Sequence, residues 1–326
     1  LLSFIPICAE SGAVGMVILM KKLLVIGSLN MDFVTSLPHP LAVGETFLAR
    51  DLRLVPGGKG ANQAYAMGKL GGQVSMLGAV GADLQGEQLL ESLRSVGVEA
   101  GSVAAARDVP TGMAVITVLP NGDNSILVFQ GANAQVTPRY VEAHRKLLEE
   151  CDILVLQLEV PLETVAYAAQ KAYSMGKKVI LDPAPAREDL PEELFRSLYL
   201  IKPNETELSI LTGHPYNPAA LREDALSLQK RGAKNVLVTL GAAGSYLLCE
   251  DGTEVRMAAD SSVQAVDTAA AGDSYVAALA VALSQGEGLE AAARFASRVS
   301  DIVVTRPGAQ TSIPSLEELR RLEKAF

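Results

Sequence analysis

Two rhythms of apolar residues run along this chain of 326 residues. Short apolar runs at 23–27, 74–79, 153–157, 178–181, 198–201 and 235–239 predict buried strands. Between them, apolar positions recur at helical spacing over 61–70, 84–96, 138–149, 162–175, 205–211 and 218–231, and an Ala-rich apolar helix is predicted over 274–284. Strand and helix in alternation predict a doubly wound, mainly parallel α/β sheet, Rossmann-like in plan, whose ligand crevice lies at the strand C-terminal ends. Asn30, Glu159, Asp182 and Gly241 all follow predicted strands, which places them on one rim.

Two stretches, 31–56 and 111–130, break this rhythm. Polar and apolar residues alternate there, as in Met113-Ala114-Val115-Ile116-Thr117-Val118, and Asn121-Gly122 is a hairpin turn signal. They read as antiparallel strands outside the main sheet. No Pro-, Gly- or Ser-rich linker and no internal repeat divides the sequence, so residues 20–326 read as one domain carrying a small β appendage. Residues 1–19 do not begin with Met, whereas Met20-Lys21-Lys22-Leu23-Leu24-Val25-Ile26-Gly27 looks like a start running into the first strand. That extension is apolar but lacks a basic n-region and is interrupted by Glu10, so it fits neither a signal peptide nor a membrane span and is expected to have no role.

Composition narrows the function. With 49% hydrophobic and 20% charged residues the chain is an ordinary globular α/β protein. A net charge of −9 argues against broad contact with nucleic acid or an anionic membrane, so a bound anion must be held by local devices. Cys8, Cys151 and Cys249 are widely spaced and read as free thiols in a reducing, cytoplasmic setting; His39, His144 and His214 form no zinc pattern.

The chemistry concentrates in Asp267-Thr268-Ala269-Ala270-Ala271-Gly272-Asp273, directly before the Ala-rich helix. Small residues at Ala270, Ala271 and Gly272 let an anion approach the N–H groups of a helix start. Asp273 stands where it can take a proton from an attacking hydroxyl, or where it simply caps the helix. A second segment, Pro56-Gly57-Gly58-Lys59-Gly60-Ala61-Asn62-Gln63, is a Gly-rich loop entering a helix. It is not a Walker A loop, since Lys59 is followed by Gly60, and it lacks the G-x-G-x-x-G spacing.

Together the loop at 57–63 and the turn at 267–273 resemble the two signatures of the ribokinase (PfkB-type) carbohydrate kinases. Gly27-Ser28-Leu29-Asn30-Met31-Asp32, Gly78-Ala79-Val80-Gly81-Ala82-Asp83-Leu84-Gln85-Gly86, Gln157-Leu158-Glu159, Asp182-Pro183-Ala184-Pro185-Ala186, Pro203-Asn204-Glu205-Thr206-Glu207 and Thr239-Leu240-Gly241 resemble further family landmarks in the same order. The resemblance spans about residues 21 to 315 and implies a ribokinase-like α/β fold. The strands from 31–56 and 111–130 would then form a β lid over the sugar and a homodimer contact, with Phe33, Phe47 and Val115 on exposed edges.

The same resemblance implies transfer of the ATP γ-phosphoryl group to O5 of D-ribose. Asn30, Asp32, Gly58, Lys59, Asn62, Glu159 and Asp273 would line the sugar site, with Asp273 as base and Ala270, Ala271 and Gly272 as the anion turn. Asn204, Thr239, Gly241, Gly244, Gly272 and Ser297 would face ATP. Asn204 and Glu207 would organise Mg²⁺ through water, although the same pair would also read as a capping box. Asp267, Ala269, Val303, Arg306, Gly308 and Ser312 would hold K⁺ or a similar cation, mostly through carbonyls. The chain departs from the family in reading Ser274-Tyr275-Val276-Ala277 after Asp273 and in placing Ser297 where His or Asn commonly faces adenine. Other acceptors (deoxyribose, a nucleoside, a hexose, a sugar phosphate) and a sugar sensor without turnover are the alternatives. Lys59 as the sole nearby base disfavours a sugar phosphate, and Asn30 favours a sugar carrying a 2-hydroxyl.

Overall fold

A computed structural model of the chain describes residues 20–324; the 1–19 extension lies outside the described residues. Its first strands are β1 (Leu23–Ile26), β2 (Asn30–Ser36), β3 (Arg53–Gly57), β4 (Val74–Gly81), β5 (Val103–Ala106), β6 (Gly112–Val118) and β7 (Asn124–Phe129). They are followed by β8 (Ile153–Leu156), β9 (Lys178–Leu181), β10 (Leu200–Ile201), β11 (Asn235–Thr239), β12 (Ser245–Leu248) and β13 (Glu254–Met257). Nine of these make one sheet in the order β13-β12-β11-β10-β9-β8-β1-β4-β5, parallel from β5 to β11, with β12 and β13 antiparallel at one edge.

The central strands are apolar throughout because both faces are covered. In β1, Leu23 and Val25 enter one core, while Leu24 and Ile26 enter the core on the opposite face. The first core is covered by the helices Lys59–Lys69, Ala271–Ser284 and Leu289–Val304, the second by Leu162–Ser174 and Leu221–Arg231. Helix Ala271–Ser284 is buried along nearly its whole length, and its small Ala277, Ala278, Ala280 and Ala282 let neighbouring helices approach. Each fully buried Leu or Val in these layers contributes roughly 1.5–3 kcal/mol.

The fold departs from the sequence reading in several places. The predicted helix over 138–149 is two, Pro138–Ala143 and Arg145–Glu150. At the break, the His144 N–H turns to Val141 O at 3.0 Å and its Nδ1 lies 2.9 Å from Tyr140 O, so the ring takes the carbonyl a continuing helix would use. The strand predicted at 198–201 is the two-residue β10, because Leu198 N is drawn to Phe195 O, closing the helix Glu192–Arg196.

The β appendage exists as a four-stranded sheet in the order β3-β2-β6-β7. Its β2/β3 and β6/β7 pairs are antiparallel as read, but the central β2/β6 pair is parallel. Both strands leave the body from the C-terminal ends of parallel strands, β1 and β5, and therefore run outward side by side. Gly122, at φ 89°, closes the β6/β7 hairpin by donating to Leu119 O at 2.9 Å. Phe33 packs against the core, Phe47 is 36% exposed, and the whole of β7 is exposed.

Candidate active site

The turn at 267–273 enters its helix three residues earlier than a capping role for Asp273 requires. The helix runs Ala271–Ser284 with Ala270 as its N-cap in the left-handed region, φ 57°, and the cap side chain makes no hydrogen bond. Asp273 therefore stands inside the first turn, as its third residue. The Ala271 N–H donates to Thr268 O at 3.2 Å. The N–H groups of Gly272 and Asp273 have no partner among the described residues and remain to meet one. A left-handed non-glycine residue costs about 1 kcal/mol, and here it aims those two donors.

Asp273 is 6% exposed and held from both sides. Its Oδ2 accepts from Asn62 Nδ2 and its Oδ1 from Gln63 Nε2, each at 3.1 Å. Both amides come from the first turns of helix Lys59–Lys69, so the Gly-rich loop and the turn carrying Asp273 meet head on. The loop can pack so closely because its glycines carry no side chains. Gly58 sits at φ 87°, and a Cβ there would lie 2.7 Å from Asn30 N.

On the lid side, Asn30 opens β2 and is 2% exposed. Its Oδ1 accepts from Asn133 Nδ2 at 2.7 Å, and Asn133 also clasps the Leu29 peptide at 2.9 and 3.1 Å. Asp32, two residues on, lies against Gly57 so closely that a Cβ there would fall 2.1 Å from its Oδ2. Glu159 Oε2 accepts from Lys59 N at 3.0 Å and from Ser28 Oγ. The structure thus brings Asn30, Asp32, Gly58, Lys59, Asn62, Glu159 and Asp273 into one region.

The electrostatics are those of crowded carboxylates. Burial first, and then Glu159 and Asp273, push Asp32 up to about 7. Burial pulls the Lys59 ammonium down, but Asp273, Asp182, Glu159 and Glu207 outweigh it and hold it above its ordinary range. No described side chain pairs with that ammonium, whose countercharge is this diffuse ring of acids.

Farther along the rim, Asn204 and Glu207 form a complete capping box. Glu207 N donates to Asn204 Oδ1, Asn204 N to Glu207 Oε2, both at 2.8 Å. Burial and then the neighbouring Asp182 push Glu207 up, against Lys202. Asn204 bridges Thr239 strand to strand, and Thr239 N donates to Pro203 O at 3.0 Å. Gly241 and Gly244 turn the chain into β12; a Cβ on Gly244 would strike Met257 O at 1.9 Å.

A family model for pfkB family carbohydrate kinases matches residues 20–316. The chain belongs to this family. It is 37% identical to the ribokinase of Haemophilus influenzae over 307 residues, covering 94% of this chain and 99% of that one. A deoxyribokinase of Salmonella typhi is 38% identical over 295 residues, 90% of this chain and 96% of its own length. The ribokinase of Arabidopsis thaliana, solved with ribose and ATP, matches at TM-score 0.87 and 33% identity, over 94% of this chain and 99% of that chain. As a pfkB-family member the chain is a phosphotransferase with a carbohydrate acceptor.

In this kinase the candidate cation loops are also joined. Asp267 Oδ1 accepts from Ala269 N at 2.9 Å and Oδ2 from Gly308 N at 2.8 Å. Val303 O receives Arg306 N at 3.1 Å, and Ser312 Oγ donates to Ala309 O at 2.7 Å. The Arg306 guanidinium points away, to Glu318 at 2.6 Å. Ser297 is half-buried on helix Leu289–Val304 and no hydrogen bond joins it to the other candidates.

Four polar residues went unremarked as site members in the sequence: Gln63 with no exposure, Asn133, Lys202 and Gln310. Gln63 also donates to Asp182 Oδ2 at 2.9 Å and accepts from Gln157 Nε2 at 2.6 Å. Gln310 Nε2 reaches Asn62 Oδ1 at 3.2 Å. The one sequence signal was a polar residue at an otherwise apolar position, as at Gln63 inside a predicted core helix.

Proposed function

We propose that this chain transfers the γ-phosphoryl group of ATP to O5 of D-ribose, giving ribose 5-phosphate. The observation that carries the reading is Asp273: a buried carboxylate held by two oriented amides, on the same helical turn as the open N–H groups of Gly272 and Asp273. The sugar hydroxyl oxygen attacks the γ-phosphorus, its proton passes to Asp273, and the bond to the departing ADP oxygen breaks. Asn30, Asp32, Lys59, Asn62 and Glu159 supply the convergent acids, amides and ammonium that several hydroxyls need. The free N–H groups of Gly272 and Asp273 stabilise charge on the phosphoryl oxygens as it develops.

Asn204, Thr239, Gly241 and Gly244 form the nucleotide rim, with Ser297 beside adenine. Mg²⁺ fits the donor set: Asn204 and half-buried Glu207, joined in the capping box, are neighbouring hard oxygen donors at the nucleotide rim. Mg²⁺ keeps most of its waters and takes one or two carboxylates plus phosphates, so it would be held by these residues through water and would neutralise phosphate charge. A monovalent cation such as K⁺ would sit among the carbonyls of Ala269, Val303 and Ser312, with Asp267 binding the loops together. We further read the body and lid as one functional unit that pairs through the lid as a homodimer and works in the cytoplasm. In support, Cys151 and Cys249 are free thiols, and among the described residues no helix is long and apolar enough to cross a membrane.

The deoxyribokinase likeness favours 2-deoxyribose as the second reading. ADP release with Mg-ATP and K⁺ across D-ribose, 2-deoxyribose, fructose, adenosine and fructose 6-phosphate tests both. Preference for ribose supports the proposal; preference for another acceptor replaces the substrate, and sugar binding without turnover makes the chain a sensor.

A further inference from the structure

The region between the capping box and the anion turn contains a second lysine that the sugar site does not use. Lys202 follows β10 directly, and its N–H donates to Leu181 O at 2.9 Å, which fixes its backbone at the C-terminal edge of the sheet. Its side chain is only 4% exposed, with Nζ 3.2 Å from Asp182 Oδ1. A Cβ built on Gly272 would lie 3.2 Å from that same Nζ, which is the nearest atom outside the turn.

The ammonium is therefore pressed against the helix start whose N–H groups are unpaired. Two positive ends confront each other there, and Asp182 Oδ1, although 3.2 Å from Nζ, accepts no hydrogen bond, so this ion contact leaves the ammonium hydrogens unsatisfied. A buried lysine so placed lacks acceptors, and the space it shares with Gly272 is where an anion would complete it. The absence of a side chain at Gly272 keeps that approach open. Elsewhere the site is acidic: Asp182, Glu207, Asp273 and Glu159 all act on Lys59, which has the sugar side to serve.

We infer that Lys202 is a catalytic residue: its ammonium binds an oxygen of the phosphoryl group in transfer, opposite the N–H groups of Gly272 and Asp273. The inference rests on the phosphoryl-transfer reading above. The competing role is purely structural, in which Lys202 does no more than neutralise buried Asp182.

Lys202→Met, Asp182→Asn and the double variant separate the two. If Lys202 contacts the phosphoryl group, Lys202→Met lowers kcat by about 10²-fold or more with the sugar KM within about threefold, as for loss of one transition-state donor. The double variant, whose Met and Asn leave no unpaired charge, folds but does not regain the activity of Asp182→Asn alone. ADP with aluminium fluoride, a mimic of the transferring group, binds Lys202→Met at least about tenfold more weakly, whereas ADP alone is unaffected. Recovery of the double variant to the level of Asp182→Asn, or unchanged affinity for the mimic, overturns the inference. Absence of phosphoryl transfer in the wild-type chain would instead remove the parent reading.

Discussion

Asn62 donates its side-chain amide to Asp273 Oδ2 at 3.1 Å across 211 residues of sequence. Its own orientation is set from behind, because Gln310 Nε2 donates to Asn62 Oδ1 at 3.2 Å and Ser92 Oγ to Gln310 Oε1 at 2.7 Å. On the other side Gln157 does the same for Gln63 at 2.6 Å. Asp273 is thus held by two amides that cannot flip without breaking a second hydrogen bond. Replacing it by Asn keeps the shape and removes the acceptor of the proton. Asp273→Asn is expected to lose at least about 10²-fold in kcat while keeping its circular dichroism spectrum, with a melting temperature lowered only by the one amide donor that its NH2 leaves unpaired. Near-normal kcat in the folded variant would take Asp273 out of the base role.

Gln63 is the buried amide shared between Asp182 and Asp273. Gln63→Leu fills the space but leaves two carboxylate oxygens and the Gln157 amide without a partner. Each such orphan costs about 1–3 kcal/mol, so a loss of at least about 2 kcal/mol in urea unfolding is expected, together with a fall in kcat. A stability unchanged within error would mean that water replaces the amide.

Gly57→Ala tests how tightly the lid root is packed on the sugar site. The added Cβ would lie 2.1 Å from Asp32 Oδ2, so the Asp32 carboxylate must move. Sugar KM is expected to rise about tenfold or more, a cost near 1.4 kcal/mol, while KM for ATP stays within about twofold. Equal effects on both substrates would point to a general loss of fold.

Asp32 gives the pH dependence a sign. Burial, then Glu159 and Asp273, push it up to about 7, and it is the ionised form that accepts hydrogen bonds from sugar hydroxyls. The kcat/KM for the sugar should therefore rise as pH passes upward through about 7, and Asp32→Asn should remove that limb. Stability runs the opposite way. The unfolded carboxyl ionises near 4 while the native one stays protonated, so this contribution falls as pH rises from about 4 towards 7. A denaturation series that shows no difference between wild type and Asp32→Asn across that window would count against the shifted carboxyl.

The exposed β7 carries Ile126, Leu127, Val128 and Phe129 at 52%, 64%, 50% and 53% exposure. If the chain pairs through its lid, Ile126→Lys with Val128→Lys should convert a dimer into a monomer in sedimentation velocity, since buried unpaired ammonium groups are strongly disfavoured. A monomeric wild-type chain would remove the dimer altogether.

Much of the architecture was legible because burial writes itself into sequence. The unbroken apolar runs of β1, β8 and β9 say that both faces are covered, and the Asn121-Gly122 hairpin follows from turn chemistry. Less legible were β12 and β13, each only four residues long, a length at which a strand signal is weak. The His144 break was invisible because it depends on one ring nitrogen finding a carbonyl. Parallel pairing of β2 with β6 could not be read from either strand, since direction is set by where each leaves the body.

By itself the sequence determined the apolar strands and helices, the Gly-rich loop without a Cβ to block close approach, and the acid after a run of small residues. Those are properties of local backbone freedom and of apolar periodicity. Tertiary structure alone decided that Asp273 is the third residue of its helix and not the cap, that Gln63 and Gln310 orient the amides around it, and that Lys202 faces Gly272. Such relations join residues far apart in the chain, and they exist only when packing fixes distances that no local pattern encodes.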